Sequence, residues 1–124
     1  MNEHNEQVAF FKVVDLYAIT DPRYKCIFAV PNAFKRTPRQ GKWMKDEGLK
    51  AGVPDIVVAY PSGQYHGLFI EMKTRSGRLS AAQREWIERM RWAGYKAEVC
   101  FGCDDAIDTV QRYFAGKSTQ GDSP

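Results

Sequence analysis

Two acidic residues and a lysine have the spacing of a site that could bind a cation. Strand-like segments lie on both sides of the turn-forming run Pro61–Gln64, so the sequence predicts a β-hairpin. Gly63 lies midway between Asp55 and Glu71, which predicts that the two carboxylates face each other, with Cβ atoms roughly 4.5–5.5 Å apart. Lys73 is two residues beyond Glu71, so it projects from the same face of the hairpin.

The chemistry of this group follows from its charges. Two ionised carboxylates at such a distance repel each other by roughly 3 kcal/mol at an effective dielectric constant of about 20. Favourable cross-strand pairing contributes only about 0.2–1 kcal/mol, so the pair is not explained by stability. A bound divalent cation offsets the repulsion, and carboxylate oxygens suit Mg²⁺ or Mn²⁺. The alternative is an ordinary polar cluster on an exposed sheet face.

The elements that hold this group are predicted from periodicity and from turn and capping signals. Ile56, Val58 and their alternating partners Leu68, Ile70 and Met72 are predicted to pack the opposite face of the hairpin. A helix between the third and fourth strands allows a parallel pair, so the sheet is predicted to be mixed. The predicted helices cover 2–18, 80–93 and 104–115, the strands 24–30, 55–60, 65–73 and 96–101, and 38–50 is a short helix or structured loop.

Length and composition predict a single folded domain. The chain has 124 residues, of which 44% are hydrophobic, and residues 1–116 are assigned to the domain. Residues 117–124 are rich in Gly, Ser and polar residues and are predicted to form a disordered tail. The sequence has no apolar run long enough to cross a membrane and no secretory signal after Met1, so we expect a cytoplasmic protein without a membrane partner. Three cysteines do not suggest a disulfide framework, and the C-x-x-C pair Cys100–Cys103 is interpreted as structural rather than zinc-binding.

Basic residues are concentrated in one part of the chain. Residues 23–50 contain eight basic and two acidic residues, a local charge of +6, although the whole chain carries only +3. This asymmetry favours a surface for a polyanion, but a solvated surface would have the same composition. Trp43, Trp86 and Trp92 are interpreted as core or interface residues rather than as residues that stack on bases.

The residues around the acidic pair resemble a known family. Pro54-Asp55 and Glu71-Met72-Lys73 look like the PD-(D/E)xK nuclease signature. The longer string GVPDIVVAYPSGQYHGLFIEMKTRSGRLSAAQREWIERMRWAGYKAEVC resembles the VRR-NUC (virus-type replication-repair nuclease) family, in the stand-alone form of phages and bacteria. The resemblance reaches back to residues 3–7 and extends to about Phe114. It implies an α/β fold: a restriction-endonuclease-like mixed sheet with an αβββαβ core flanked by helices.

The resemblance also implies roles for individual residues. Asp55, Glu71 and the backbone carbonyl of Met72 would bind Mg²⁺ (or Mn²⁺), and Lys73 would orient or activate the attacking water. The N-terminal helix would add a metal-binding acid and a glutamine, Glu3 and Gln7, which are spaced to share a helix face, with Glu6 as the competing acid. Gln83 matches a recurrent family position, but with Ser80 it also forms a capping-box pattern for the third helix.

The implied function is cleavage of DNA. A structure-selective endonuclease that resolves four-way (Holliday) junctions as a homodimer is the leading hypothesis, because a two-fold junction needs two symmetric cuts. A nuclease that acts on flaps or single strands is the enzymatic alternative, and a DNA-binding protein without cleavage is the non-enzymatic one. The residues predicted to contact DNA are Asn32, Lys35, Arg36, Arg39, Lys42, Arg75, Arg78 and Arg84.

Overall fold

Helices and strands alternate along the chain in the order that the sequence predicts. A computed structural model describes residues 2–31 and 37–116, and statements about the structure refer to these residues. The predicted contacts of Asn32, Lys35 and Arg36, and the predicted tail, lie outside them. The described elements are α1 (Glu3–Tyr17), a 3₁₀ helix (Pro22–Cys26), β1 (Ile27–Ala29), α2 (Pro38–Asp46), β2 (Ile56–Val58), β3 (Leu68–Lys73), α3 (Ala81–Trp92), β4 (Lys96–Phe101) and α4 (Cys103–Phe114).

Side-chain caps determine where three of the helices begin. The side chain of Asn2 accepts a hydrogen bond from the backbone N–H of Asn5, which satisfies one of the free amides at the start of α1. A reciprocal capping box starts α2 at Thr37, with Pro38 in the first turn. A second capping box, between Ser80 and Gln83, starts α3, as predicted.

The strands form one mixed sheet in the order β1-β2-β3-β4. The β1–β2 and β2–β3 pairs are antiparallel, and β3 and β4 are parallel on either side of α3 in the chain. Ile56 is opposite Ile70 and Val58 is opposite Leu68, so the hairpin is centred on Gly63, as predicted. The mixed α/β fold with flanking helices is therefore confirmed.

The core lies between one face of this sheet and two helices. Ile56, Leu68 and Ile70 are fully buried, and their alternation confirms the predicted inward face. Phe10 of α1 and Val110 of α4 are buried in the same cluster. Burial of one such side chain contributes about 1.5–3 kcal/mol, so this layer accounts for much of the folding free energy. The α3 helix contacts the sheet at β4.

The β4 strand forms one edge of the sheet, and side chains bind two of its backbone groups. The Arg91 guanidinium donates to the carbonyl oxygen of Ala97 over 3.1 and 2.8 Å. The Asp105 carboxylate accepts a hydrogen bond from the backbone N–H of Phe101 at 2.8 Å.

Two sequence predictions need correction. The strand predicted for residues 24–30 is shorter, because Pro22–Cys26 is a 3₁₀ helix capped by the Asp21 side chain, and the strand starts at Ile27. Trp43 and Trp92, which were predicted to be core or interface residues, are not core residues, since their exposed fractions are 69% and 87%, and their place in an interface stays a prediction.

No helix among residues 2–31 and 37–116 is both long and apolar enough to span a membrane.

Candidate active site

The acidic pair lies where β2 and β3 begin to separate. Asp55 immediately precedes β2, and the register of the hairpin continued by one residue places it opposite Glu71 of β3. The backbone holds Asp55 from one side, because its carbonyl oxygen accepts a hydrogen bond from Val30 at 2.8 Å. Its side chain holds it from the other, because Oδ2 accepts from the N–H of Met72 at 2.9 Å. Asp55 therefore links β1 to β3.

Glu71 is a buried carboxyl group, with only 2% of its surface exposed. Burial, the nearby negative charge of Asp55 and a side-chain hydrogen bond between the two acids together raise its pKa to about 9, although the positive charge of Lys73 acts in the opposite direction. Its Oε1 atom is buried without a hydrogen-bond partner among the described residues. Such an atom is costly unless a proton, a cation or another donor occupies the site.

Lys73 is directed toward the same carboxylate. Its Nζ lies 4.0 Å from Oε2 of Glu71, and the lysine side chain is only 11% exposed. Alternation along β3 places both residues on the face opposite Ile70 and Met72, as predicted. A positive charge beside two acids partly offsets their repulsion.

Gln83 combines the two roles that the sequence left open. Its Oε1 accepts the backbone N–H of Ser80 at 2.9 Å, which completes the cap of α3. Its Nε2 donates to Oε2 of Glu71 at 3.3 Å. One side chain therefore fixes the start of α3 and the orientation of the Glu71 carboxylate.

The two acids at the start of α1 have different surroundings. The negative charge of Glu3 contributes to the raised pKa of Glu71, so Glu3 lies close enough to interact with the acidic pair. Glu6 caps α4 instead, because its Oε1 accepts the backbone N–H of Cys103 at 2.8 Å. The carboxylate of Glu6 is therefore engaged at the start of α4, and the role of Glu3 in the site stays a prediction. Gln7 lines a different groove, along α1 with Val8.

A cleft of about 260 Å³ opens beside these residues. Asp55, Lys73 and Gln83 line it together with two basic residues, Lys50 and Arg78. Arg78 was predicted to contact DNA. Lys50 was missed as a site residue, although it stands in the basic segment and in the Gly48–Gly52 string that the family resemblance covers. The other residues that line the cleft are Pro31, Gly52, Val53 and Ser80.

The remaining basic residues predicted to contact DNA lie elsewhere on the surface. Arg39 and Lys42 line a groove on α2. Arg84 lines a groove on α3, and its guanidinium donates to the carbonyl oxygen of Leu79 at 3.2 Å. Arg75 is exposed in the turn that follows β3. Of the five described residues that were predicted to contact DNA, only Arg78 therefore lines the cleft.

The donor atoms of the cleft fit a hard divalent cation. Glu71 Oε1 has no partner, and one oxygen of Asp55 remains besides the oxygen bound to the Met72 amide. Among residues 2–31 and 37–116, no group of three His, Cys, Asp or Glu residues is arranged to hold a metal. A cation here would therefore complete its coordination with backbone oxygen, as predicted for Met72, and with water or phosphate oxygens.

The C-x-x-C pair has the surroundings of structural thiols. Cys100 is fully buried, and burial raises its pKa to about 12. Burial also raises the pKa of Cys103, the first residue of α4. Neither thiol is therefore activated as a thiolate.

Comparison with known proteins gives a family match. The VRR-NUC domain model matches residues 24–104. A solved structure described as a VRR-NUC domain protein is 30% identical to the chain, with a TM-score of 0.73, and the alignment covers 96% of this chain and 97% of that one. No curated protein matches the sequence.

Proposed function

The chain belongs to the VRR-NUC family, and from this premise we propose that it is a divalent-metal-dependent endonuclease that cuts branched DNA. The family is a nuclease family of the PD-(D/E)xK type, so a DNA-cleaving enzyme follows from membership alone. The proposal adds the metal, the branched substrate and the residues that act: Asp55, Glu71, Lys73, Glu3 and Gln83. Gln7, which was also predicted, lines a different groove and has no role in the proposal.

One observation carries the proposal: Glu71 is buried with one carboxylate oxygen that has no hydrogen-bond partner among the described residues, and the hairpin register places Glu71 opposite a second acid, Asp55. Burial of two adjacent carboxyl groups is unfavourable unless a proton or a cation lies between them. Asp55, Glu71 and the Met72 carbonyl would hold Mg²⁺ or Mn²⁺, and Glu3 would act through bound water, since the described residues contain no group of three acids arranged to hold a metal. When bound, such a cation offsets the negative charge of the phosphodiester and lowers the pKa of nearby water.

The protein's own residues supply the remaining functions. Lys73 would donate a hydrogen bond to the attacking water and favour its hydroxide form. Lys50 and Arg78 would bind the phosphate oxygens on the open side of the cleft. The water oxygen forms a bond to phosphorus as the bond to the 3′ oxygen breaks, which leaves a 5′-phosphate and a 3′-hydroxyl. Gln83 would hold Glu71 in one orientation throughout.

As the substrate, we propose a four-way junction, which two copies of the protein would cut as a homodimer. A two-fold junction needs two symmetric cuts, and each protomer has one cleft of this kind among its described residues. The basic residues outside the cleft, on α2 and α3, would bind the other phosphates of the branch.

Cleavage of a panel of labelled DNAs tests the proposal. Four-way junction, flap, single-stranded and duplex DNA of related sequence would be incubated with Mg²⁺, with Mn²⁺ or with EDTA. We expect junction cleavage with either metal and none with EDTA. Lys73→Ala should slow cleavage by at least about 100-fold. Lys12→Ala, which removes an exposed lysine on α1, is the matched control and should cleave at the wild-type rate.

Each contrary outcome removes a different part of the proposal. Preference for linear duplex over all branched forms would exclude the junction, whereas preference for flaps or single strands would select the alternative substrate. Wild-type rates in Lys73→Ala would exclude the assigned site. Binding without cleavage at any metal concentration would leave a DNA-binding protein.

A further inference from the structure

The α2 helix has one face directed inward and one directed to solvent. Gly41 is buried and Met44 is half-buried, so they define the inner face. The outer face carries residues three and four positions apart, which a helix places side by side. A shallow groove lies on this outer face and is lined by Arg39, Gln40, Lys42, Trp43 and Asp46.

Trp43 is the apolar centre of this outer face. It is 69% exposed, although tryptophan side chains are usually mostly buried. Trp86 of α3 offers a contrast, since it is half-buried and the Arg89 guanidinium lies 4.7 Å above its ring. An exposed ring is available for stacking, but it indicates a binding surface only together with the charges around it.

The charges around Trp43 fit a nucleic acid better than a protein. Arg39, Lys42 and Lys45 give α2 three basic residues, against the single acid Asp46. Lys42 is paired with Asp46 over 3.0 Å, but both side chains are exposed, so phosphate can compete for the lysine. Basic residues beside an exposed aromatic ring are the combination that binds single-stranded nucleic acid, through phosphate contacts and base stacking.

In the sequence, α2 lies between two residues that line the cleft. Pro31 and Lys50 both line the cleft, and α2 lies between them in sequence. The last turn of α2 is close to Lys50, because the backbone N–H of Leu49 donates to the carbonyl oxygen of Met44 at 3.0 Å. The C-terminal end of α2 therefore lies close to Lys50, which lines the cleft.

We propose that Trp43 stacks on an unpaired base of the DNA adjoining the cleft, while Arg39 and Lys42 bind the phosphates on either side of that base. The inference rests on the proposed nuclease function and specifies how branched DNA is distinguished from duplex. Bases in a duplex are paired and stacked on each other and are unavailable to the ring, whereas unpaired bases in a flap, in a single-stranded arm or at an opened branch point are accessible.

A fork with abasic residues separates the contribution of base stacking to affinity from that of phosphate contacts. A fluorescein-labelled fork with unpaired thymines and the same fork with abasic residues at those positions would be titrated by anisotropy in EDTA, where no metal is present. Trp43→Ala should weaken binding of the thymine fork by roughly 5- to 100-fold. The abasic fork should bind wild type and Trp43→Ala equally, because its phosphates are unchanged. Trp43→Phe should retain most of the affinity.

Trp92→Ala is the matched control, since Trp92 is an 87% exposed tryptophan on α3, and it should bind both forks as wild type does. Equal affinities of wild type and Trp43→Ala for the thymine fork would overturn the inference. So would an equal loss on both forks, or a change from dimer to monomer in sedimentation, which would assign Trp43 to a protein interface. Failure of the wild type to cleave with Mg²⁺ would instead overturn the proposed function, whatever the binding result.

Discussion

At the scale of a single residue, Glu71 has two carboxylate oxygens with different surroundings. Oε2 accepts from Gln83 and lies near the Lys73 ammonium, whereas Oε1 is buried without a partner among the described residues. An unsatisfied buried polar atom costs about 1–3 kcal/mol. Without a cation, protonation relieves this cost, in agreement with the raised pKa of Glu71.

The raised pKa of Glu71 predicts how the stability of the metal-free protein depends on pH. The folded state raises the pKa from 4.5 to about 9, so it retains a proton that the unfolded chain releases. This stabilisation is fully present below about pH 4.5 and is lost as pH rises through about 9. The free energy of unfolding should therefore fall in this window, by at most about 1.4 kcal/mol per pH unit for one proton.

Urea unfolding in EDTA at pH 5, 7 and 9 measures this dependence. Glu71→Gln has no titrating group at this position and should show a flatter profile than wild type. Saturating Mg²⁺ should stabilise the wild type most at high pH, because a cation and a proton compete for the same oxygens. Parallel profiles of the two proteins in EDTA would contradict the prediction.

At the scale of an element, the loop before β2 positions Asp55 by close packing. Gly52 has a φ of +85°, and a Cβ at this position would lie 2.6 Å from the backbone carbon of Ala82 in α3. The loop therefore rests directly on the first turn of α3, the turn that also carries Gln83. Asp55 and Gln83 approach Glu71 from two elements that touch at Gly52.

Gly52→Ala should separate these two elements. The new methyl group collides with backbone atoms of α3 that cannot rotate away, and the positive φ adds strain. We expect a loss of about 1–3 kcal/mol in the free energy of unfolding and at least about a tenfold loss of cleavage rate for the folded protein.

Gly48→Ala is the matched control for Gly52→Ala. Gly48 has a φ of +105°, but a Cβ there would meet nothing within 4 Å. It should lose stability through strain alone and retain its cleavage rate. Equal rates in the two variants would show that contact with α3 does not position Asp55.

The accuracy of the sequence predictions differed between local and long-range features. The hairpin register and the Ser80–Gln83 cap were predictable, because turn residues, alternation and capping pairs act within a few positions. The 3₁₀ helix was not, since Arg23 bonds both to Asp21 beside it and to the carbonyl oxygen of Phe114. The contact of Gln83 with Glu71 also joins different elements and leaves no local pattern.

At the scale of the whole molecule, α4 links parts of the chain that are distant in sequence. The Tyr113 hydroxyl donates to the carbonyl oxygen of Tyr60 at 2.6 Å, and Ser62 donates to the Tyr113 carbonyl. The Arg23 guanidinium lies 4.6 Å from the Phe114 ring centre and also bonds to the Phe114 carbonyl. These contacts join α4 to the hairpin turn and to the segment before β1, at a distance from the cleft.

Tyr113→Phe tests this link without a change of charge. Tyr113 is buried, and loss of its hydroxyl leaves the Tyr60 carbonyl without that donor. We expect the free energy of unfolding to fall by about 1–2 kcal/mol in urea, with the cleavage rate unchanged. Arg112→Ala, which breaks an exposed ion pair with Asp108, should change stability by less than about 0.5 kcal/mol. If both variants lost the same free energy of unfolding, the Tyr113 hydroxyl would stabilise the fold no more than an exposed ion pair does.

The hydrogen bonds from Arg91 and Asp105 to β4 have a consequence for assembly. Open sheet borders invite neighbouring copies to continue the sheet and so promote fibrils. Here the Arg91 guanidinium binds the carbonyl oxygen of Ala97, and the Asp105 carboxylate binds the N–H of Phe101. An incoming strand would need these two backbone groups for its own hydrogen bonds. In the homodimer that we propose, the two protomers are therefore expected to join at a surface other than the β4 edge.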